Sequence, residues 1–200
     1  MIETEVAPID TCAIAQLFTD ARTHNGWLAK PVPGETLKRL YEMVRMGPTS
    51  MNCQPMRLVF VVSAEGKEHL RPALNPTNVD KTMQAPVTVI VAYDTRFYDL
   101  MPTIWHRPAA RDTFAENETL ARSTAIRNGS MQGGYLILAA RALGLDCGPM
   151  SGFNIAKVDA EFFPDGRWTA NFLCNLGYGD AGKLHDRQRR LDFDEACRVL

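Results

Sequence analysis

Five cysteines, four histidines and three stretches rich in arginine or hydroxyl groups are the parts of this chain with obvious chemical reach. Nucleophilic catalysis needs a thiol or hydroxyl beside a base that is itself oriented by an acid. Cys53, in the loop GPTSMNCQP (residues 47–55), is the tempting nucleophile. Yet His24, His69, His106 and His185 stand in no sequence relation to it, and no GxSxG elbow occurs. Cys53 therefore reads as a loop thiol without a chemical role. The histidines lie singly, without HxH or HExxH spacing, and no CxxC pair exists, so no metal site is expected. Neither GxGxxG nor GxxxxGK[ST] is present. A phosphate would have to be held by arginines, hydroxyls and free backbone N–H groups. Arg22 and Thr23, with His24 beside them, could contribute, as could Thr49, Ser50 and Asn52. Arg187, Arg189 and Arg190 near the end of the chain form the third stretch. Each alone is an ordinary surface or turn. They become a site only if the fold gathers them.

The elements that must do the gathering can be read from periodicity. Residues 10–21 place Ile14, Leu17 and Phe18 on one helical face behind Asp10 or Thr11 as N-cap. Leu37, Leu40, Tyr41 and Val44 make 35–46 an amphipathic helix, ended by Gly47-Pro48. RLVFVVS (57–63) and PVTVIVAY (86–93) are β-branched runs bounded by turn residues, hence buried strands. Short helical pieces are expected at 65–71 and 78–84, and a long helix over 117–143 whose second half is apolar on nearly every side. Gly129, Gly133 and Gly134 in that helix would permit close approach by another backbone. An extended piece at 147–150, a helix at 155–162 and a strand at 168–176 complete the pattern. Helices and strands mix without regular alternation, so the class is α+β in one domain spanning 1–200. The end, LHDRQRRLDFDEACRVL, has no obvious place in the core and reads as an arm reaching a partner subunit.

Bulk properties exclude several classes. The 200 residues carry 22 basic and 23 acidic side chains, a net charge of −1, which argues against nucleic acid or an anionic membrane as partner. The start, MIETEVAPID, has no apolar run that would make a signal peptide. MQGGYLILAARALGL (131–145) is interrupted by Arg141 and is shorter than the roughly 20 residues a membrane span needs. Odd, scattered cysteines fit a reducing compartment, so a cytoplasmic protein is expected.

Six pieces, in order, carry a resemblance: ARTHNGW (21–27), GPTSMNCQP (47–55), NVDKTMQAP (78–86), GPMSGFN (148–154), LCNLGYGD (173–180) and RQRRLDF (187–193). Together they resemble the nitroreductase family of FMN-dependent oxidoreductases, over nearly the whole chain. ARTHNGW, PTSMNCQPMR, GPMSGF and NLGYGD look closest to the branch of malonic semialdehyde reductases of pyrimidine breakdown. The resemblance implies a central mixed, largely antiparallel sheet flanked by helices, a long buried helix, and a C-terminal arm exchanged in a homodimer. It implies FMN at the subunit interface, with NAD(P)H as reductant. Residue by residue, Arg22 matches the phosphate-gripping arginine, with Thr23 and His24 following it. Pro48, Thr49, Ser50 and Asn52 match the loop that reaches the flavin from the other subunit. Asn78 and Lys81 match the pair facing the pyrimidine edge of the ring, and Ser151-Gly152 a dipeptide whose backbone approaches N5 and O4. Arg187 with Arg189 or Arg190 matches a basic pair closing on the phosphate. Two departures stand out, since many relatives carry Glu at the place of Ser151 and a lysine at that of Gly26. A cation such as Lys81 suits the negative charge that develops at N1/O2 on reduction. The implied activity is reduction of a small aldehyde, 3-oxopropanoate, with Arg107 and Arg111 as candidates for its carboxylate; the alternative is a broad nitro or quinone reductase. The flavin N5 would carry the hydride, so no catalytic side chain is required.

Overall fold

The computed structural model describes residues 7–200, so most of the segment behind the signal-peptide reading, residues 1–6, lies outside the described residues. Four strands form one sheet in the order β1-β2-β4-β3: β1 Met56–Val61, β2 Val87–Asp94, β3 Asp146–Met150 and β4 Trp168–Gly177. All three strand pairings are antiparallel, and the one parallel contact among the described residues is the isolated bridge Thr23↔Cys147. β2 is central and buried along its whole length, which is why VTVIVAYD shows no apolar–polar alternation. Its side chains still divide by parity. Val87, Val89 and Val91 enter a cluster with Leu40, Val44 and Leu136, while Ile90 and Ala92 enter another with Leu70, Val158 and Leu173.

The helices supply these two faces. α2 (Gly34–Val44) and α7 (Glu118–Ala142) cover one side; α3 (Ala64–Leu70) and α8 (Ile155–Phe162) cover the other, and α4 (Pro76–Gln84) leads into β2. α7 begins at Asn117, whose side chain accepts from Leu120 N at 2.9 Å, a standard N-cap. Of its three glycines only Gly133 is needed for close approach, since a Cβ there would stand 2.5 Å from Phe172 of β4. The helix buries Ala125, Leu136 and Ala140 but leaves Ile126, Met131 and Tyr135 exposed, so its uniformly apolar second half is not enclosed within this chain. The first helix is also shorter than expected. α1 spans Thr11–Ile14 behind the Asp10 cap and continues as one wide turn, Ala15–Thr19, whose Ile14 and Phe18 remain exposed.

A third cluster, with Phe97, Met101 and Phe114, packs Cys53 and Tyr93 beneath residues 97–115. That segment contains two short helices the periodicity did not reveal, α5 (Met101–Ile104) and α6 (Ala110–Ala115). Ion pairs brace it. Asp94, its side chain 3% exposed, binds Arg57 at 2.8 Å and Arg167 at 2.6 Å, and Arg167 also reaches Asp99 at 3.0 Å. Arg111 is part of this brace, 2.8 Å from Asp112 and 3.8 Å from Asp99.

Two outcomes follow from these placements. Asp94→Asn leaves two guanidinium groups facing a neutral amide, and loss of a buried pair's partner should lower unfolding free energy by about 3 kcal/mol in urea denaturation. Burial raises the Cys53 thiol from 9.0 to about 11. The unfolded chain therefore releases that proton first, so the thiol's contribution is complete below about pH 9 and is lost as pH rises through the folded value. Urea midpoints at pH 7 and pH 10.5 should fall less in Cys53→Ala than in the wild type.

Candidate functional site

The site is built where the N-terminal segment zips onto the sheet edge. His24 N donates to Cys147 O at 3.0 Å, Leu28 N to Tyr178 O at 2.8 Å, and Asp180 N to Gly26 O at 3.0 Å. This extended run pins Arg22, Thr23 and Asn25 against β3 and the end of β4. Gly148 permits the approach, because a Cβ there would stand 2.7 Å from the His24 carbonyl. The C-terminal segment then folds back over it: Arg22 donates to His185 O, and Arg187 to Ala21 O at 3.3 Å.

Between them lies a cavity of about 670 Å³ lined by Arg22, Thr23, Asn25, Arg141, Arg187 and Arg190, with Phe18 and one carboxylate, that of Asp186, also in its wall. Four guanidinium groups around one cavity favour an anion such as phosphate. Arg141 strengthens that reading. Its Nη1 donates to Leu17 O at 2.8 Å, but its buried Nε has no partner among the described residues. Arg190 lines the cavity while Arg189 binds Glu195 and lies 3.7 Å from Asp192. Arg190 thus stands with Arg187 in the cavity wall, while Arg189 is drawn off by the small helix α9 (Phe193–Ala196) and its capping box.

A second group adjoins the first through Asn25, whose Oδ1 accepts from Lys81 Nζ at 3.3 Å. Lys81 stands in the last turn of α4, and partial burial pulls its ammonium below the usual lysine range. One turn earlier, Asn78 Nδ2 donates to Gly152 O at 2.7 Å, and Asn75 N donates to the same oxygen at 3.0 Å. A Cβ on Gly152 would meet Asn78 Nδ2 at 2.5 Å, so a side chain there would displace the Asn78 amide from its bond to the Gly152 carbonyl. Ser151 is exposed beside it, and its carbonyl accepts from Phe153 N.

Other expected residues stand apart from the cavity. His24 is buried and turned inward, with Nε2 3.3 Å from Asp146 Oδ1 and its ring against Gly179, and it does not line the cavity. Its buried Nδ1 has no partner among the described residues. Arg111 is taken up by Asp99 and Asp112, which removes it as a free carboxylate binder, while Arg107 is exposed. The loop with Pro48, Thr49, Ser50 and Asn52 does not line the arginine cavity. Ser50 N donates to Asn128 Oδ1 at 2.8 Å, Asn52 Nδ2 to Ile104 O at 2.7 Å, and Thr49 Oγ1 accepts from Gln54 N at 3.2 Å. Met51, Asn52 and Gln54 all have positive φ (54°, 51° and 41°), so the loop is held in a conformation that side chains rarely adopt.

Two contributors escaped the sequence reading. Asn25 lies inside ARTHNGW without a signal of its own, whereas Arg141 could have been found from being the one charge in an apolar helical stretch.

The Nitroreductase family model matches residues 20–178. A protein of Ralstonia nicotianae, provisionally named an NADH dehydrogenase/NAD(P)H nitroreductase, is 54% identical over 192 residues, 96% of this chain and 98% of that one. Among solved structures, a provisionally identified nitroreductase of Bacillus subtilis superposes with a TM-score of 0.86 at 23% identity, covering 96% and 100% of the two chains. Another, of Exiguobacterium sibiricum and in complex with FMN, gives 0.85 at 18% identity, covering 98% and 100%. With more than half its length matched by the family model and a relative above half identity end to end, the chain belongs to the nitroreductase family.

Proposed function

We propose that the protein is an FMN-dependent NAD(P)H oxidoreductase whose acceptor is a small aldehyde, 3-oxopropanoate. The observation that carries the cofactor assignment is the four-arginine cavity joined through Asn25 to Lys81, with an unpaired buried Nε on Arg141. When bound, FMN supplies a hydride carrier that NAD(P)H reduces and an acceptor reoxidises in ping-pong order. The chain's own part is binding and electrostatics. Arg22, Arg187 and Arg190 hold the phosphate; Lys81 places positive charge where the ring becomes negative. The close packing of Asn78 on Gly152 presents the main chain of residues 151–152 to the ring. Cys53, with its thiol raised to about 11, contributes no thiolate at neutral pH.

A homodimer completes the site in this reading. The loop of residues 48–52 is tied down by hydrogen bonds to Asn128 and Ile104 yet does not line this chain's cavity, which fits a contribution to a second copy. Tyr41, Met46, Met131 and Tyr135 form exposed apolar surface on and beside α2 and α7, and Leu191 and Phe193 expose more on the C-terminal arm. No helix among the described residues is long and apolar enough to cross a membrane.

The aldehyde assignment rests on the match of ARTHNGW, PTSMNCQPMR, GPMSGF and NLGYGD to that branch; the second reading, a broad NAD(P)H nitroreductase, is favoured by the names of the relatives.

Four experiments test these readings. Purified protein should be yellow and should bleach with NAD(P)H without air. Arg22→Ala and the double variant Ser50→Ala/Asn52→Ala should each raise the FMN dissociation constant at least about tenfold, as loss of charged or buried polar contacts implies. Mixing the two variants should restore one intact site per mixed dimer if the loop acts across subunits; no restoration would place the loop's role within one chain. In steady-state kinetics, 3-oxopropanoate should give the higher kcat/KM beside a nitroaromatic, and Cys53→Ala should keep most of it. Comparable or better turnover of the nitro compound would replace the aldehyde reading with the second one.

A further inference from the structure

Lys67, on α3, is 3% exposed, an unusual place for an ammonium group. Its Nζ donates three hydrogen bonds, the full capacity of the group: to Thr82 O at 2.7 Å, Ala85 O at 3.0 Å and Thr88 Oγ1 at 2.6 Å. All three acceptors are neutral. Two are carbonyls at the C-terminal end of α4, where the helix dipole is negative and a cation is favoured. Burial draws Lys67 down to about 8, which leaves it charged at neutral pH.

The third bond begins a relay in which every donor points the same way. Thr88 Oγ1, having accepted from Lys67, donates to Asn175 Oδ1 at 2.6 Å; Asn175 Nδ2 donates to Lys81 O at 3.2 Å. That carbonyl also accepts from Trp27 Nε1 at 3.0 Å. One buried cation therefore holds three carbonyls of a single turn, those of residues 82 and 85 directly and that of residue 81 through two side chains. This is the turn from which the Lys81 side chain leaves toward Asn25 and the arginine cavity. An apolar residue at position 67 could fill the same volume, but it would leave these oxygens without donors in the core and free the turn to shift. Small displacements of a group aimed at a reacting centre are strongly felt.

We propose that Lys67 is a positioning residue for the flavin site, fixing Lys81 through the last turn of α4 and the Thr88–Asn175 relay. The proposal rests on the reading of Lys81 as the cation that faces the flavin.

The test uses the holoenzyme. Lys67→Met keeps the aliphatic stem and removes the donors. Its bound FMN should have a more negative midpoint potential, with about tenfold weaker preference for the reduced over the oxidised cofactor, the size of one charge-assisted hydrogen bond. In a Lys81→Ala background the same substitution should leave the potential where Lys81→Ala alone puts it. Thr88→Val breaks the relay while sparing the two carbonyl bonds; it should shift the potential in the same direction by less, and only when Lys81 is present. A lowered melting temperature with unchanged potential would overturn the proposal, as would an equal shift with and without Lys81. If Lys67→Met does not fold, Thr88→Val in the two backgrounds decides by the same comparison. Wild-type protein that takes up no FMN would overturn the cofactor reading itself, and the proposal with it, before any variant is compared.

Discussion

The carbonyl oxygen of Lys81 is the point on which the site depends. It accepts from Trp27 of the N-terminal run and from Asn175 of β4, so one atom joins α4, the sheet and the segment that carries Arg22. That junction adds to the sheet-edge bonds of His24, Leu28 and Asp180 in keeping the arginines beside the lysine. With it, the 22–27 run is held at both ends, by the Cys147 bridge and by α4. Its side chains then divide, His24 going into the core and Arg22, Thr23 and Asn25 to the cavity. The turn of α4 that carries the junction is itself held by the buried ammonium of Lys67, so one charged group belongs to the frame on which the others are mounted.

Much of the fold was legible because burial writes periodicity into sequence. β2 could be read from an unbroken β-branched run, and α7 from its length and its Asn117 cap. The short helices between residues 97 and 115 were not legible, because they are held by Phe97, Phe114 and the Asp99 ion pairs rather than by a repeating face. The exposed apolar side of α7 was invisible because composition does not say which apolar faces the chain itself covers.

The site was legible by type and only partly by place. Arg22 and Arg187 are 165 positions apart, and nothing local says that they meet; their meeting needs the sheet edge between them. Arg190 against Arg189 could have been decided from DFDEA, since an Asp with Glu three places on is the mark of a capping box that would recruit a neighbouring cation. The pairing of Arg111 with Asp99 was not legible, because the two are close only in three dimensions.

The brace centred on Asp94 has a consequence for how this protein can diversify. Arg57, Asp94 and Arg167 come from β1, β2 and the edge of β4, and Arg167 carries the tie onward to Asp99 at the foot of the 97–115 segment. Phe114 seals the far end by packing edge-on to Phe97, ring centroids 5.1 Å apart. Trp105 still packs on the cluster of Phe97 and Phe114, but the exposed residues 106–109 lie between two fixed points and share no hydrogen bond with the sheet. They form an interchangeable panel: insertions or changed side chains there alter what the surface greets while the strands keep their register.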